Sequence, residues 1–252
     1  MNGLRSGDNR KNNNAQYKKL SIIIPCYNEE KTIAKIIGKV LKSKISLSKE
    51  IIIIDDGSKD SSGKIIRQIA KKNSGIKYFY KKNGGKGSAI IMGFRKSTGD
   101  ILIVQDADLE YDPNDYQSLL NPILSGKTQV VYGSRYLKYS GHLKEHNHMT
   151  FQIHKIGNNV LSFFTTLLYN HKLTDMETCY KVFTRKVYNQ INLVERGFEI
   201  EPEITAKILK AGFGIKEVAI KYFSRDFSEG KKITWKDGVR ALLTLIKYKF
   251  VK

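Results

Sequence analysis

Two carboxylates stand two positions apart directly after an apolar run. Asp106 and Asp108 follow Ile101–Val104, and Glu110 comes two residues later. Oxygen ligands without cysteine or a nearby fixed histidine suit Mg²⁺ or Mn²⁺, especially when substrate phosphates complete the coordination. The spacing therefore predicts a divalent-metal site. The competing interpretation is that these acids only cap a helix and complete a loop.

A second acidic pair, Asp55 and Asp56, follows the isoleucine run Glu50–Ile54. Acids at such a position can accept hydrogen bonds from a nucleobase or a ribose. The glycine-rich loop Lys82–Gly87 lacks the spacing of a P-loop, so ATPase chemistry is not supported. No G-x-G-x-x-G follows the first apolar run, which argues against a dinucleotide cofactor. Together these loops predict a site for a nucleotide and a metal, without a redox cofactor.

The elements that position these loops follow from alternating apolar patterns in the first half of the chain. The predicted strands are Leu20–Ile24, Glu50–Ile54, Ile76–Tyr80, Ile101–Val104 and Gln129–Tyr132. The predicted helices between them are Thr32–Leu41, Ser61–Lys72, Ala89–Lys96 and Asn114–Leu124. This order predicts an α/β fold with a mostly parallel sheet flanked by helices. The loops after the first four strands then meet at the rim where open sheets bind ligands.

The second half of the chain has a less regular pattern and is expected to form a functional C-terminal part of the same domain. Its predicted elements are a long loop over Ser134–His154, helices over Ile156–Tyr169, Pro202–Lys210 and Ile233–Tyr248, and a strand over Gly214–Tyr222. The block Asp175–Arg185 has mixed polarity and receives no element. The aromatic and leucine side chains of the first of these helices are interpreted as core: Phe163, Phe164, Leu167 and Leu168. The last helix is amphipathic, and it can pack on the sheet or lie on an anionic membrane.

The chain of 252 residues carries a net charge of +20. Such a charge attracts nucleic acid, anionic lipid or phosphorylated substrates, or serves solubility alone. Zinc-finger spacing and a basic helix are both missing, which disfavours nucleic-acid binding. No apolar run approaches the ~20 residues that cross a bilayer. The prediction is one domain over residues 20–252 behind a disordered basic leader, residues 1–19.

Cysteine and histidine offer little further chemistry. Cys26 and Cys179 cannot build a disulfide scaffold, and they are interpreted as packing residues rather than nucleophiles. A zinc cluster is conceivable in the loop that holds three histidines and a glutamate, but a solvated loop is favoured. Its members are His142, Glu145, His146 and His148. Few cysteines and a polar N-terminus without a secretory signal favour a cytoplasmic protein.

Five segments in order resemble the motifs of the family 2 glycosyltransferases: SIIIPCYNEE, IIIIDDGSKDSS, GGKGSAIIMGF, TGDILIVQDADLEYDP and VVYGSRYL. Within that family they are similar to the dolichol-phosphate mannose and glucose synthase branch, over Leu20 to Leu137. The later blocks TDMETCYKVFTR, FEIEPEITAKI and EGKKITWKDG resemble a bacterial and archaeal subset of the branch. The resemblance implies a GT-A (Rossmann-like) fold with a nucleotide-sugar-binding half over residues 20–137 and a C-terminal, acceptor-side half over residues 138–252. It also implies inverting, metal-dependent transfer of a hexose from GDP-mannose or UDP-glucose type donors to a polyprenyl or dolichyl phosphate.

The resemblance also implies roles for the matching residues. Those expected to bind the nucleotide are Pro25, Tyr27, Glu29, Asp56, Lys86, Asp106 and Ala107. Asp108 with Glu110 is expected to bind the Mg²⁺ or Mn²⁺ that bridges the diphosphate. Residues expected to handle the acceptor phosphate and to close over the diphosphate are Ser134, Arg135, Arg225, Lys231 and Lys232. Asp106 and Asp108 are thus the expected catalytic carboxylates.

The acceptor remains open between two chemistries. A phosphate acceptor is largely ionised near neutrality and needs no strong base. A sugar hydroxyl needs a general base, for which Asp175 or Glu177 is the candidate. Dolichol-phosphate mannose synthases usually show a T-S-G-F-R-like block where this chain has E-T-C-Y-K from Glu177 to Lys181. A polyprenyl acceptor predicts peripheral binding at an anionic membrane surface, on its cytoplasmic face, without a membrane span.

Overall fold

Runs of isoleucine and valine build the centre of the sheet, because β-branched residues fit a strand that is covered on both faces. In the computed structural model, the described residues are 17–137, 149–224 and 235–251. Within them the strands are β1 (Lys19–Cys26), β2 (Ser48–Asp55), β3 (Ile76–Tyr80), β4 (Ile101–Val104), β5 (Val130–Ser134), β6 (Lys181–Thr184) and β7 (Lys216–Ala219). They form one seven-stranded sheet in the order β3-β2-β1-β4-β6-β5-β7.

Helices connect and cover these strands. They are α1 (Ile33–Lys42), α2 (Ser62–Lys71), α3 (Lys86–Lys96), α4 (Tyr116–Leu124), α5 (Met149–Tyr169), α6 (Arg185–Tyr188), α7 (Ile200–Lys210) and α8 (Trp235–Phe250). A short 3₁₀ helix (Pro113–Asp115) precedes α4, where Asp112 caps it by accepting the N–H of Asn114. Helix α3 packs on β1 and β2, while α8 packs against α5 and α7.

The sheet is mostly parallel, as predicted. β1 pairs in parallel with β2 and β4, and β2 pairs in parallel with β3. The carboxyl ends of these four strands therefore share one rim, and the chain order reverses between β1 and β4. An open α/β sheet binds its ligand at such a reversal.

Strand β6 was not predicted, and it is the one that breaks the parallel pattern within the described residues. It lies antiparallel between β4 and β5, and it comes from the block to which no element was assigned. The strand has only four residues, and one of them, Lys181, is buried because Glu201 accepts its ammonium at 2.6 Å. So short a run with a buried lysine carries no alternation that could indicate a strand.

The predicted loop over Ser134–His154 is wrong at both ends. Ser134 is the last residue of β5, and α5 begins at Met149, seven residues before the predicted Ile156. The first turns of α5 have exposed positions such as Gln152 and Lys155. An exposed helical turn needs no apolar residues, so periodicity cannot locate where it begins.

The interpretation of the α5 aromatic and leucine side chains as core is wrong for two of the four. Phe163 is 63% exposed and Leu167 is 67% exposed, whereas Phe164 and Leu168 are half-buried. Helix α5 turns a different face inward, with Leu161 and the fully buried Thr165. An apolar stripe shows that a helix has a face to cover, but not which partner covers it.

Strand β1 begins at Lys19, so the folded part includes the last residue of the predicted leader. The backbone N–H groups of Lys18 and Lys19 donate to Asp100 at 2.7 and 3.0 Å. The remaining leader positions, 1–16, and the histidine-bearing loop with its conceivable zinc cluster lie outside the described residues. Among the helices that the structure describes, none is both long and apolar enough to cross a bilayer.

Candidate functional site

A cavity of about 360 Å³ opens at the carboxyl rim of the parallel strands. Its lining residues come from the loops after β1 to β5, from the segment before β6, and from α7 and α8. Ten of the predicted site residues line this cavity: Pro25, Tyr27, Glu29, Asp56, Lys86, Asp106, Ala107, Asp108, Glu110 and Arg135. The shared rim of parallel strands therefore brings these loops together, as the alternating pattern implied.

Asp56 fixes the glycine-rich loop that follows β3. Its carboxylate accepts the N–H groups of Gly84 at 3.0 Å and Gly85 at 2.8 Å, and it forms an ion pair with Lys81. Gly85 has a φ of +94°, and a Cβ there would lie 2.5 Å from the carbonyl oxygen of Arg196. Only glycine permits this close approach of backbone to backbone. The loop is thereby held at the cavity edge just before α3.

Lys86, the first residue of α3, is the central cation of the cavity. Its Nζ lies 3.0 Å from the Asp106 carboxylate and 3.3 Å from Glu201 Oε1 on α7. Burial lowers the pKa of Lys86, but Asp106 and Glu201 outweigh it and hold the pKa well above its ordinary value. Glu201 was missed from the sequence, although the acidic run F-E-I-E-P-E at a helix start is a signal. This ion-pair chain connects the acidic loop after β4 to α7.

The acidic loop after β4 turns sharply at Leu109, a non-glycine residue with a φ of 69°. The N–H of Glu110 donates to Asp108 Oδ1 at 3.1 Å, and the Tyr222 hydroxyl donates to Glu110 Oε2 at 2.9 Å. No group of three or more metal-ligating side chains occurs within residues 17–137, 149–224 and 235–251. Asp108 and Glu110 are therefore not part of a larger cluster of metal-ligating side chains within those residues.

The charge of the cavity wall fits a divalent cation. Among the described lining residues, eight are carboxylates and two are cations, although the whole chain is strongly basic. The carboxylates are Glu29, Asp56, Asp106, Asp108, Glu110, Glu177, Glu201 and Asp237. Such a wall repels a diphosphate unless a cation neutralises it. Hard oxygen donors with room for phosphate ligands are what Mg²⁺ and Mn²⁺ prefer.

Arg135 reaches the cavity from the end of β5 and is held by a two-pronged ion pair. Its Nε and Nη2 each donate at 2.7 Å to the two carboxylate oxygens of Asp175, which is fully buried. Burial lowers the pKa of Arg135, but Asp175 more than offsets it, so the guanidinium stays charged. Both Asp175 oxygens are thus engaged, and Asp175 does not line the cavity, so the structure places this candidate base behind Arg135 rather than at the cavity wall.

The other predicted acceptor residues are not at the described cavity wall. Ser134 is buried, and its hydroxyl bonds the hydroxyl of Thr174 at 2.6 Å. The remaining three, Arg225, Lys231 and Lys232, lie outside the described residues. Glu177, the other candidate base, does line the cavity, and burial raises its pKa to about 7.

The two cysteines also line the cavity, but as neutral thiols. Burial raises the pKa of Cys26 to about 12, and burial with the nearby Asp106 raises the pKa of Cys179 well above its ordinary value. A thiol that stays protonated is a poor nucleophile. Their burial supports the interpretation of both as packing residues.

Comparison with known proteins identifies the family. The family model described as glycosyl transferase family 2 matches residues 21–191. The chain belongs to glycosyl transferase family 2. The match includes β1 to β6 and every predicted site residue from Pro25 to Asp175, so the motif resemblance in the sequence is confirmed.

Two curated relatives and one solved structure extend this comparison. The family 2 chain is 29% identical, over 93% of its length and 98% of the relative, to the UDP-N-acetylglucosamine–dolichyl-phosphate N-acetylglucosaminyltransferase of Methanococcus voltae. It is 32% identical, over 48% of its length and 34% of the relative, to the dolichol-phosphate mannosyltransferase of Pyrococcus furiosus. Glucosyl-3-phosphoglycerate synthase of Mycobacterium tuberculosis superposes with a TM-score of 0.69 at 18% identity, covering 95% of this chain and 81% of that one. The last likeness confirms the GT-A fold.

Proposed function

We propose that this glycosyltransferase moves a hexose from a nucleoside-diphosphate sugar to a polyprenyl phosphate, with inversion. The observation that carries the proposal is one cavity that holds the paired carboxylates Asp106 and Asp108 together with the anchored guanidinium of Arg135. Carboxylates at a strand end suit the metal-bound diphosphate of a donor, and a fixed guanidinium suits the phosphate of an acceptor. The names of the Methanococcus and Pyrococcus relatives support a dolichyl phosphate acceptor.

The donor side of the proposal assigns the nucleotide to the loops after β1 to β3. Pro25, Tyr27 and Asp56 border the nucleobase, with Glu29 beside them, and Asp106 and Ala107 lie toward the ribose. Asp108 and Glu110 hold Mg²⁺ or Mn²⁺, which supplies positive charge to the leaving diphosphate when bound. The mycobacterial structure of the same fold contains Mn²⁺ and UDP, which supports a divalent ion here. Lys86 adds a second, permanent charge near that leaving group.

The acceptor side of the proposal rests on Arg135. Because Asp175 fixes its guanidinium, the side chain loses little further freedom when it binds a phosphate. The acceptor phosphate is already ionised near neutral pH, so its oxygen attacks the anomeric carbon without help from a base. Ser134 supports the turn by accepting the N–H groups of Tyr136 and Leu137, both at 3.2 Å.

A donor and acceptor panel tests the proposal. The purified protein is incubated with Mg²⁺, polyprenyl phosphate and, in turn, GDP-mannose, UDP-glucose or UDP-N-acetylglucosamine. The expected result is a sugar–phosphate lipid from one of these donors. Transfer to a glycan or glycolipid hydroxyl, with no lipid-phosphate product, would contradict the proposed acceptor.

The metal assignment has a matched pair of variants. Asp108→Asn should lower transfer by at least about a hundredfold, because electrostatic stabilisation of a leaving group is a large part of such catalysis. Asp112→Asn makes the same chemical change four residues later, outside the cavity, and asparagine preserves the cap on the 3₁₀ helix. Transfer that survives Asp108→Asn, or that persists in excess chelator, would contradict the metal role.

We also propose that the protein works at an anionic membrane surface, on the cytoplasmic face, where a polyprenyl phosphate resides. Two helices each present an apolar stripe to solvent. The stripe on α5 consists of Ile156, Val160, Phe163 and Leu167, and the stripe on α8 of Val239, Leu243, Ile246 and Phe250. Both repeat at intervals of four, three and four residues, the spacing of one helix face.

The charges beside the two stripes and the position of the cavity favour a bilayer as the partner that covers these stripes. The stripes stand beside exposed basic residues, namely Lys155, Lys236, Arg240, Lys247 and Lys249. Basic side chains near an anionic surface add about 1 kcal/mol each. Helix α8 also lines the cavity through Asp237 and Ala241, so a lipid held along α8 leads its phosphate toward Arg135.

A further inference from the structure

Residues 174–180, which connect α5 to β6, are held in place by a dense set of hydrogen bonds. Glu217 accepts the N–H groups of Thr174 at 2.8 Å and Asp175 at 2.9 Å. Asn158 Oδ1 accepts those of Met176 at 3.0 Å and Glu177 at 3.3 Å. The Tyr111 hydroxyl accepts the N–H of Cys179 at 3.1 Å. A connection so fully bonded presents its side chains at fixed positions.

Glu177 is the side chain that this connection presents to the cavity. Its Oε1 is buried and has no hydrogen-bond partner among the residues that the structure describes. A buried carboxylate oxygen without a donor is costly, and native proteins rarely keep one unless something fills the place.

The charged neighbours of Glu177 indicate what kind of ligand group could pair with its Oε1. Burial, Glu201 and Asp175 raise the pKa of Glu177 to about 7 although Lys181 and Arg135 oppose them, so the surroundings of this carboxyl disfavour a further negative charge beside it. A phosphate of the donor or the acceptor is therefore a poor fit. A neutral group with an O–H to donate satisfies the carboxylate and costs no repulsion.

We propose that Glu177 is a specificity-determining residue that accepts a hydrogen bond from a hydroxyl group of the hexose carried by the donor. This rests on the proposed function, since it takes the bound donor to be a nucleotide sugar. Glu177 lines the same cavity as Asp106 and Asp108, and it interacts electrostatically with Glu201 of α7. Glu201 Oε1 lies 3.3 Å from Lys86 Nζ, which in turn lies 3.0 Å from the Asp106 carboxylate. A nucleotide sugar whose diphosphate is held at Asp106 and Asp108, as proposed, would extend its hexose along these residues to Glu177.

The test compares two affinities that differ only by the sugar. Calorimetric dissociation constants are measured with Mg²⁺ for UDP and UDP-glucose, UDP and UDP-N-acetylglucosamine, and GDP and GDP-mannose. The proteins are wild type, Glu177→Ala and Glu177→Gln. Glu195→Ala is the matched control, because Glu195 pairs with Lys247 and Tyr248 outside the cavity.

For the nucleotide and nucleotide sugar that wild type binds most tightly, Glu177→Ala should weaken binding of the nucleotide sugar at least about tenfold and binding of the free nucleotide less than twofold. Glu177→Gln should give a smaller loss, because its amide oxygen still accepts a hydrogen bond. The control should change neither affinity. This pattern, with wild-type thermal stability, would support the sugar contact.

Three outcomes would overturn the assignment, and they differ from failure of the proposed function. Unchanged nucleotide-sugar affinity together with a lower kcat would make Glu177 a base instead. Equal loss for nucleotide and nucleotide sugar would make it a structural residue. Equal loss of affinity for all three nucleotide sugars, with no change in preference, would remove the specificity role.

If wild type binds none of the nucleotide sugars, the proposed function fails with it. If wild type binds them but glycosylates no polyprenyl phosphate, only the acceptor is wrong.

Discussion

The two cations of the described cavity wall, Lys86 and Arg135, are held by carboxylates, of which Glu201 and Asp175 are buried and Asp106 is partly exposed. For Arg135 the partner is Asp175, which is fully buried and bonds both Nε and Nη2. Removing one member of such a pair leaves an uncompensated charge inside the protein. Asp175 is therefore a positioning residue for Arg135. Its loss is expected to lower both the stability of the fold and the proposed binding of the acceptor phosphate.

Asp175→Asn should lower the free energy of unfolding by about 3–5 kcal/mol. Urea denaturation measures this, with the double variant Arg135→Leu/Asp175→Leu as the control that removes both charges. The double variant should be more stable than Asp175→Asn, because apolar replacement of a whole buried pair is often neutral. If Asp175→Asn lowered the free energy of unfolding by less than about 1 kcal/mol, this would contradict a buried ion pair between Arg135 and Asp175. For the same reason, lost activity in Asp175→Asn does not identify a general base.

Glu177 gives a stability prediction with a definite sign. Burial raises its pKa from 4.5 to about 7, Glu201 and Asp175 add to the rise, and Lys181 and Arg135 oppose it. Between these pH values the folded protein keeps a proton that the unfolded chain has released. The contribution of this carboxyl to stability is therefore present at low pH and is lost as pH rises to about 7.

Glu177→Gln cannot lose that proton. Relative to wild type, the variant should gain stability as pH rises from 5 to 8, as measured by urea denaturation at several pH values. Glu195→Gln is the control, because its carboxyl lies outside the cavity. Parallel profiles for wild type and Glu177→Gln would contradict the raised pKa.

At the scale of elements, α5 and α8 combine a buried face with an exposed apolar stripe. Leu245 and Tyr248 of α8 are buried, and the hydroxyl of Tyr169 on α5 donates to the Leu245 carbonyl at 2.7 Å. The two helices thus support each other, while Leu243 on α8 remains 59% exposed. Apolar stripes without a protein partner among the described residues are typical of an interaction surface.

The double variant Phe163→Glu/Leu243→Glu should lose binding to anionic liposomes while its fold is retained. Wild type should float with such liposomes at low salt and bind less at high salt, because the Debye length falls from about 10 Å at 0.1 M to about 3 Å at 1 M. Tyr80→Glu is the control, since Tyr80 is an exposed residue of the edge strand β3. Wild type in the soluble fraction at both salt concentrations would contradict the membrane surface.

Several elements and one part of the site are readable from the sequence. The strands β1 to β5 consist mainly of β-branched, aromatic and other apolar residues, and the loops after parallel strands must share a rim, which is why Tyr27, Asp56 and Asp108 were predicted together. Strand β6 is as short as β4, but it begins with a lysine inside a block of mixed polarity and was therefore not recognised. Glu201 and Tyr222 reach the cavity through long-range packing of α7 and of the chain after β7. The acidic run at the start of α7 marks Glu201 as a candidate, but local sequence does not show that it faces the cavity.

At the scale of the whole molecule, the charge is divided between outside and inside. A chain of net charge +20 encloses a cavity whose charged residues, in its described part, are mostly carboxylates. Under the proposed function, the basic exterior attracts anionic lipid and phosphate over a distance, and the acidic wall favours anions that arrive with a divalent cation. A metal-bound nucleotide sugar would bind at that wall, and a lipid phosphate would bind at Arg135.

The most direct test of hexose transfer to a polyprenyl phosphate compares polyprenyl phosphate with the corresponding polyprenol as acceptors. Both are incubated with the protein, Mg²⁺ and the radiolabelled nucleotide sugar that binds most tightly, and label in the lipid extract is counted. We expect labelled lipid from polyprenyl phosphate only, and none with Asp108→Asn. Equal labelling of polyprenol, or label that appears only in an added glycan acceptor, would contradict the proposed phosphate acceptor.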